Sequence, residues 1–230
     1  MSTNTPAGST GSATVSPSAP TMGLRARKVR QTRNALVDKA LEMFTDRGFD
    51  GVTLDDLCDA VQVSRRTFFR RFRNKEDVVL APMDDLWAEF LERLAQAPLN
   101  EPSLVGFLGG VLGDAITLMP EGWEARMLAS TRLTNATASI GVESLAVCER
   151  TRTASTGILE QRFDMGDADP VEVSLSVRML VAGYQTAVEL WLDGSERSGA
   201  PDLAETTRSV MSALPRSVTT ALSPRGPRQE

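Results

Sequence analysis

The stretch from Thr53 to Asp77, TLDDLCDAVQVSRRTFFRRFRNKED, constrains this chain more than any other because it divides only into short capped helices. Thr53 can cap the first through its hydroxyl, and Asp56 can return the bond to the Thr53 N–H, as in a capping box. That helix runs to about Val61. After a break at Gln62 and Val63, Ser64 offers a second cap, and a helix restarts carrying Arg65, Arg66, Thr67, Arg70 and Arg71. Asn74 to Asp77 repeats the pattern and starts a third. Two short capped helices joined by a tight turn read as a helix-turn-helix.

The second helix has the chemistry of a groove reader. Arg65 and Arg66 occupy its first turn, where a recognition helix meets base edges, and a guanidinium can donate two bonds to the O6 and N7 of guanine. Thr67 adds a hydroxyl for phosphate and a methyl for thymine. Phe68 and Phe72, four apart, fall on one face and anchor the helix to its domain. Lys75 stands at the positive end of the next helix, where a phosphate would bind.

Charge supports this reading. The net charge of −5 argues against nucleic acid, but its distribution reverses the conclusion. From Leu24 to Lys75 there are 13 Lys and Arg against 7 Asp and Glu, or +6; from Glu76 onward there are 12 against 23, or −11. Basic charge is therefore confined to the helix-turn-helix region. Its leading arm, with Arg25, Arg27 and Lys28, can reach phosphates or the minor groove. Residues 1–23 carry no charge and lack the basic start and apolar centre of a secretory signal, so they read as a disordered extension.

The segment Leu24 to Val79 resembles the DNA-binding domain of the TetR family of bacterial transcriptional regulators. The resemblance rests on Ala40-Leu41-Glu42-Met43-Phe44-Thr45-Asp46-Arg47-Gly48-Phe49, then Val52-Thr53, then the helix-turn-helix. SRRTFFRRFRNKEDVV is similar to the branch whose C-terminal domain takes acyl-CoA-like ligands. Two departures stand out. Gln62 replaces the glycine common at the turn, where a left-handed residue is favoured. Phe69 and Arg71 stand where the family often has Tyr and His, so the phosphate clamp is altered: Phe69 cannot donate a bond, although Arg71 can.

The resemblance implies an all-α protein of about nine helices: a three-helix helix-turn-helix domain over residues 24–75, a helical ligand-binding and dimerisation domain over 76–222, and a flexible tail over 223–230. DNA contacts are expected from Thr53, Ser64, Arg65, Arg66, Thr67, Phe69, Arg70, Arg71 and Lys75. In the C-terminal domain the implied ligand residues are Trp87, Phe90, Phe107, Trp123, Met127 and Tyr184, with Arg126 as candidate anchor for the phosphate-bearing end of an acyl-CoA. A homodimer is expected through the last two helices, with Val177, Val181, Val188 and Trp191 on one and Val210 and Leu214 on the other. No cofactor or metal is expected.

Other features locate the joints. Pro82 falls within the helix begun at Lys75, removes its bond to the Val78 carbonyl, and is a candidate pivot between the domains. Gly106, Gly109, Gly110 and Gly113 lack the Lys and Ser or Thr of a phosphate loop, which favours close helix packing or room for a ligand beside the backbone. Asp167 to Pro170 marks a break, Gly194 a stop, and Pro201 the opening of the last helix. No run of some 20 apolar residues suggests a membrane span. Cys58 and Cys148 suit a reducing cytoplasm and core packing.

Two other function classes fit the sequence less well. An acyl-thioester enzyme would need a catalytic base; the chain has no histidine, and Glu143, Glu149 and Glu189 have no partner visible by spacing. A helical adaptor would treat the basic segment as a solvated face. The regulator is the leading reading, repressing until a small apolar effector releases it from DNA. Activation, or a response to a drug or aromatic compound instead of a fatty acyl-CoA, remains open.

Overall fold

In the computed structural model, the described residues are 24–163, 169–195, 199 and 202–220. They form nine helices and no strand: α1 Leu24–Arg47, α2 Leu54–Ala60, α3 Arg65–Phe69, α4 Lys75–Leu94, α5 Leu104–Thr117, α6 Trp123–Ala136, α7 Ala138–Arg162, α8 Pro170–Gly194 and α9 Leu203–Ser217. The N-terminal extension, Pro201 and the C-terminal tail lie outside the described residues, as do the side chains of Arg25 and Arg27.

The N-terminal unit is assembled on an apolar face of α1. Leu36, Val37, Ala40, Leu41 and Phe44 of α1 are all buried, and Leu57, Cys58, Phe68 and Phe72 close over them. Each of the valine, leucine and phenylalanine side chains among them contributes roughly 1.5–3 kcal/mol on burial. Burial raises the Cys58 thiol above its ordinary value, consistent with a packing role. The α1–α2 connection turns at Gly48, whose φ is 76°.

α4 runs without a break through Pro82, which is buried inside it. Two donors on one face of α6 reach its backbone there: Trp123 Nε1 donates to the Pro82 carbonyl at 2.8 Å and Ser130 Oγ to the Val79 carbonyl at 2.6 Å. α6 also packs on α1, so it touches both the helix-turn-helix unit and the connecting helix.

In the C-terminal unit α8 and α9 lie along each other, and α9 lies on α5. The glycines explain the close approach. A Cβ on Gly109 would stand 3.1 Å from the Met211 Cβ, and one on Gly183 would stand 3.0 Å from the Met211 Cε. Met211 is thus clasped between α5 and α8, which favours the packing role for Gly109; Gly110 faces open space. No helix among the described residues is long and apolar enough to cross a membrane.

Candidate functional site

The three capping signals hold. Thr53 accepts from the Asp56 N–H while the Asp56 carboxylate accepts from the Thr53 N–H at 2.8 Å and from its hydroxyl at 2.7 Å. Those bonds from Thr53 keep the Asp56 carboxyl below the ordinary aspartate value. Ser64 accepts from the Thr67 N–H at 3.1 Å, and Asn74 from the Asp77 N–H at 2.8 Å. The Ser64 and Thr67 hydroxyls share a further bond at 3.0 Å. Gln62 takes the left-handed conformation, φ 56°, that the turn demands, alone among the described non-glycine residues.

α3 is shorter than the sequence suggested. It ends at Phe69, Arg70 is its C-cap, and Arg71 falls in the following turn. Phe68 is wholly buried and meets Phe72 with ring centroids 5.7 Å apart, which fixes the rotation of α3. That rotation leaves Arg65, Arg66, Phe69 and Arg70 exposed. Phe69 is 55% exposed, a large apolar ring on an otherwise basic surface.

The arginines are not equivalent. Arg65 makes a two-pronged ion pair with Asp55 of α2, which lowers the Asp55 carboxyl. Arg66 is exposed, and its guanidinium has no partner among the described residues. Arg71 is half-buried, with its Nε enclosed and unpartnered. Lys28 is exposed on α1.

Lys75 departs from expectation. Its ammonium turns inward, donating at 2.9 Å to the carbonyls of both Phe49 and Val52 and standing 4.3 Å from the Phe49 ring centroid. It ties the start of α4 to the α1–α2 connection. A phosphate at this helix start would meet backbone N–H groups, not the ammonium.

The expected anchor Arg126 is likewise committed elsewhere. It pairs with Asp38 of α1, Nε to carboxylate at 2.5 Å. Two further ion pairs cross between the units: Arg33 of α1 with Asp85 of α4 at 2.8 Å, and Arg73 with Glu143 of α7 at 2.5 Å. These bridges join residues 52 to 88 positions apart, so spacing could not reveal them.

A cavity of about 290 Å³ opens between α4, α6, α7 and α8. Met127 and Tyr184 line it as expected. The other expected ligand residues do not. Phe90 is core, Trp87 packs edge-on against Tyr184 at 4.7 Å, Phe107 pairs with Phe163 at 5.8 Å, and Trp123 is held by Pro82. Ser130, Thr134, Asn135, Ser144, Gln185 and Glu189 line the cavity instead, polar residues that no apolar pattern in the sequence marks. Tyr184 is 2% exposed, its hydroxyl has no hydrogen-bond partner among the described residues, and burial drives its pKa well above the usual phenol value. Cys148 also borders the cavity, its thiol raised by burial. A wider cleft of about 760 Å³ lies between the end of α1 and α6.

The expected dimer residues divide. Val177, Val188 and Trp191 are buried within the single chain, so they form core and not interface. Val181, Val210 and Leu214 are only partly covered. The outward stripe of α8 is a different one: Val171, Leu175 and Leu190, each more than half exposed, with Ala182 and Thr186 between them.

Comparison with known proteins agrees with this architecture. Residues 36–81 match the family described as bacterial regulatory proteins, tetR family. The HTH-type transcriptional regulator TcmR of Streptomyces glaucescens is 37% identical over 127 residues, which is 54% of this chain and 56% of TcmR. The chain therefore aligns with little more than half the length of that relative. Among solved structures, a TetR-family transcriptional regulator from Syntrophomonas wolfei superposes with a TM-score of 0.59 at 15% identity, covering 84% of this chain and 97% of the other. FadR from Bacillus subtilis, solved with stearoyl-CoA, gives 0.51 at 16% identity, covering 79% and 96%. At such identities these two structures speak for the fold alone. The matched segment contains the whole of the capped helix pair and its buried Phe68 anchor, so the likeness to the tetR family of bacterial regulatory proteins rests on residues 36–81.

Proposed function

We propose that this protein is a dimeric DNA-binding regulator whose grip on an operator is released by a small molecule held in the C-terminal unit. The observation that carries the reading is the exposed face of α3, where Arg66, Phe69 and Arg70 project beside one another while Phe68 locks the helix from behind. Such a face offers guanidinium groups to base edges and an aromatic ring to a thymine methyl or sugar. The partnerless Arg66 is the principal base reader. Arg65 must leave Asp55, or share it, to do the same.

A second copy of the chain is the natural occupant of the outward stripe of α8, together with the exposed part of α9. Pairing there removes Val171, Leu175 and Leu190 from water and presents two α3 helices to successive major-groove faces, about 34 Å apart. Ligand release follows from linkage: an effector that favours the wrong spacing weakens DNA binding by its differential affinity for the two states. α6 is the connecting element, since it lines the cavity with Met127 and Ser130 and holds α1 through Arg126 and Asp38.

The acyl-CoA version of the effector has weaker support. Its phosphates call for a cation at the cavity, yet Arg126 faces Asp38 and none of the residues lining the cavity is Lys or Arg. A different small molecule fits better.

The experiment is selection of a binding site from random duplexes, followed by salt titration of the selected and a scrambled duplex. The reading predicts a near-palindromic site whose affinity falls steeply with salt and exceeds the scrambled duplex by at least about 10³-fold. Equal affinity for both duplexes would remove it.

A further inference from the structure

The cavity between α4, α6, α7 and α8 has a hydrogen-bonding character of its own. Four serine and threonine hydroxyls belong to its lining residues, and each of these four donates its proton to a main-chain carbonyl: Ser130 to Val79, Thr131 to Met127, Thr134 to Ser130 and Ser144 to Gly141. A hydroxyl with its proton so engaged turns only lone pairs toward a guest. The Glu189 carboxylate, also on the wall, adds acceptor capacity and negative charge. The donors on the wall are the side-chain amides of Asn135 and Gln185 and the Tyr184 hydroxyl, which is enclosed and has no partner among the described residues. A buried hydroxyl left unpaired costs roughly 1–3 kcal/mol, and a guest that supplies an acceptor recovers that cost.

Size and apolar walls narrow the choice further. At about 290 Å³ the space lies at the lower end of ligand cavities and is bounded on one side by Leu80, Met83, Met127 and Val188. Two thioethers on that wall suit a flat ring system.

We propose that this cavity selects a compact, uncharged molecule with a ring-like apolar body, one acceptor directed at Tyr184 Oη, and hydroxyl or N–H groups facing the serine and threonine lone pairs. Anions are disfavoured because they offer no proton to the four serine and threonine hydroxyls and meet the Glu189 carboxylate. This rests on the effector site described above and specifies the chemistry of its occupant.

The test uses the full-length protein without DNA and two probes of the same shape, anthracene-9-carboxamide and anthracene-9-carboxylate, followed by their own fluorescence at neutral pH. Lauroyl-CoA serves as competitor. The amide is expected to bind at least tenfold more tightly than the carboxylate and to resist displacement by lauroyl-CoA. Tyr184→Phe should weaken the amide by about three- to tenfold, the scale of one hydrogen bond, while leaving thermal unfolding unchanged or raised. Glu189→Gln should narrow the gap between amide and carboxylate. Failure of the amide to bind, equal binding of the carboxylate, ready displacement by lauroyl-CoA, or indifference to Tyr184→Phe each overturns the proposal. Because no DNA is present, a protein that binds the amide as expected yet ignores every duplex would retain this site and lose the regulator reading.

Discussion

The indole N–H of Trp123 donates to the carbonyl of Pro82 across 2.8 Å, which pins α6 to α4 at the α4 residue that has no N–H of its own. Seven residues further along α6, Ser130 makes the matching bond to Val79. The proline and its two donors form a joint whose α6 side also borders the cavity and whose α4 side leads back to the helix-turn-helix.

Disturbing that joint should separate stability from response. Trp123→Phe keeps the packing but loses the bond, and is expected to cost about 1–2 kcal/mol in urea unfolding. Pro82→Ala restores a donor for the Val78 carbonyl and should change both operator affinity and its response to effector. Anisotropy on the selected duplex, with and without effector, measures both. Unchanged values would remove Pro82 as a pivot.

Lys75 should behave as a structural residue. Lys75→Met removes two charge-assisted bonds to carbonyls, each worth about 1.5–3 kcal/mol, and is expected to lower the thermal midpoint clearly. If stability is untouched while affinity falls equally for all duplexes, the ammonium acts on phosphate instead.

Gln62 holds a left-handed backbone at the helix-turn-helix corner. Gln62→Gly should be neutral or stabilising by up to ~1 kcal/mol, since relief of strain competes with a freer unfolded chain. Gln62→Val should cost about 1–2 kcal/mol, because a β-branched residue tolerates positive φ poorly. Chemical denaturation of the two variants tests the sign of each change.

Acid should loosen the helix-turn-helix first. Asp55 and Asp56 are held below the ordinary aspartate value of 3.8 by bonds from Arg65 and from Thr53. Burial alone would raise Asp77, but bonds from the Arg73 side chain and N–H override it and leave it lowered too. A folded-state pKa below the unfolded one stabilises fully above the unfolded value and is lost as pH falls through the folded value. Thermal midpoints should therefore hold from pH 7 to about 5 and drop as pH falls below 4, less so in Asp56→Asn. A midpoint that stays level to pH 3 contradicts these assignments.

Local chemistry was legible in the sequence, and distant pairing was not. Thr53 with Asp56, Ser64 with Thr67, and Asn74 with Asp77 are three apart, so helix geometry alone brings them together. The Phe68 and Phe72 anchor is of the same kind. Arg126 looked like a free cation because its partner, Asp38, lies 88 residues away. Val177, Val188 and Trp191 do share one stripe, but periodicity shows that a stripe is covered without showing whether the cover is the same chain or another. The cavity was missed for a related reason. Its wall consists of serines, threonines and amides whose meaning depends on where their protons go, and only coordinates reveal that.

The most direct test of the central claim is Arg66→Ala beside Arg65→Ala on the selected operator and on a scrambled duplex of equal length. If α3 reads bases as described, Arg66→Ala should lose about 1–3 kcal/mol on the operator with little change on the scrambled duplex. Arg65→Ala should lose less, because Asp55 already holds that guanidinium. Equal losses on both duplexes, or none from Arg66, would contradict the account.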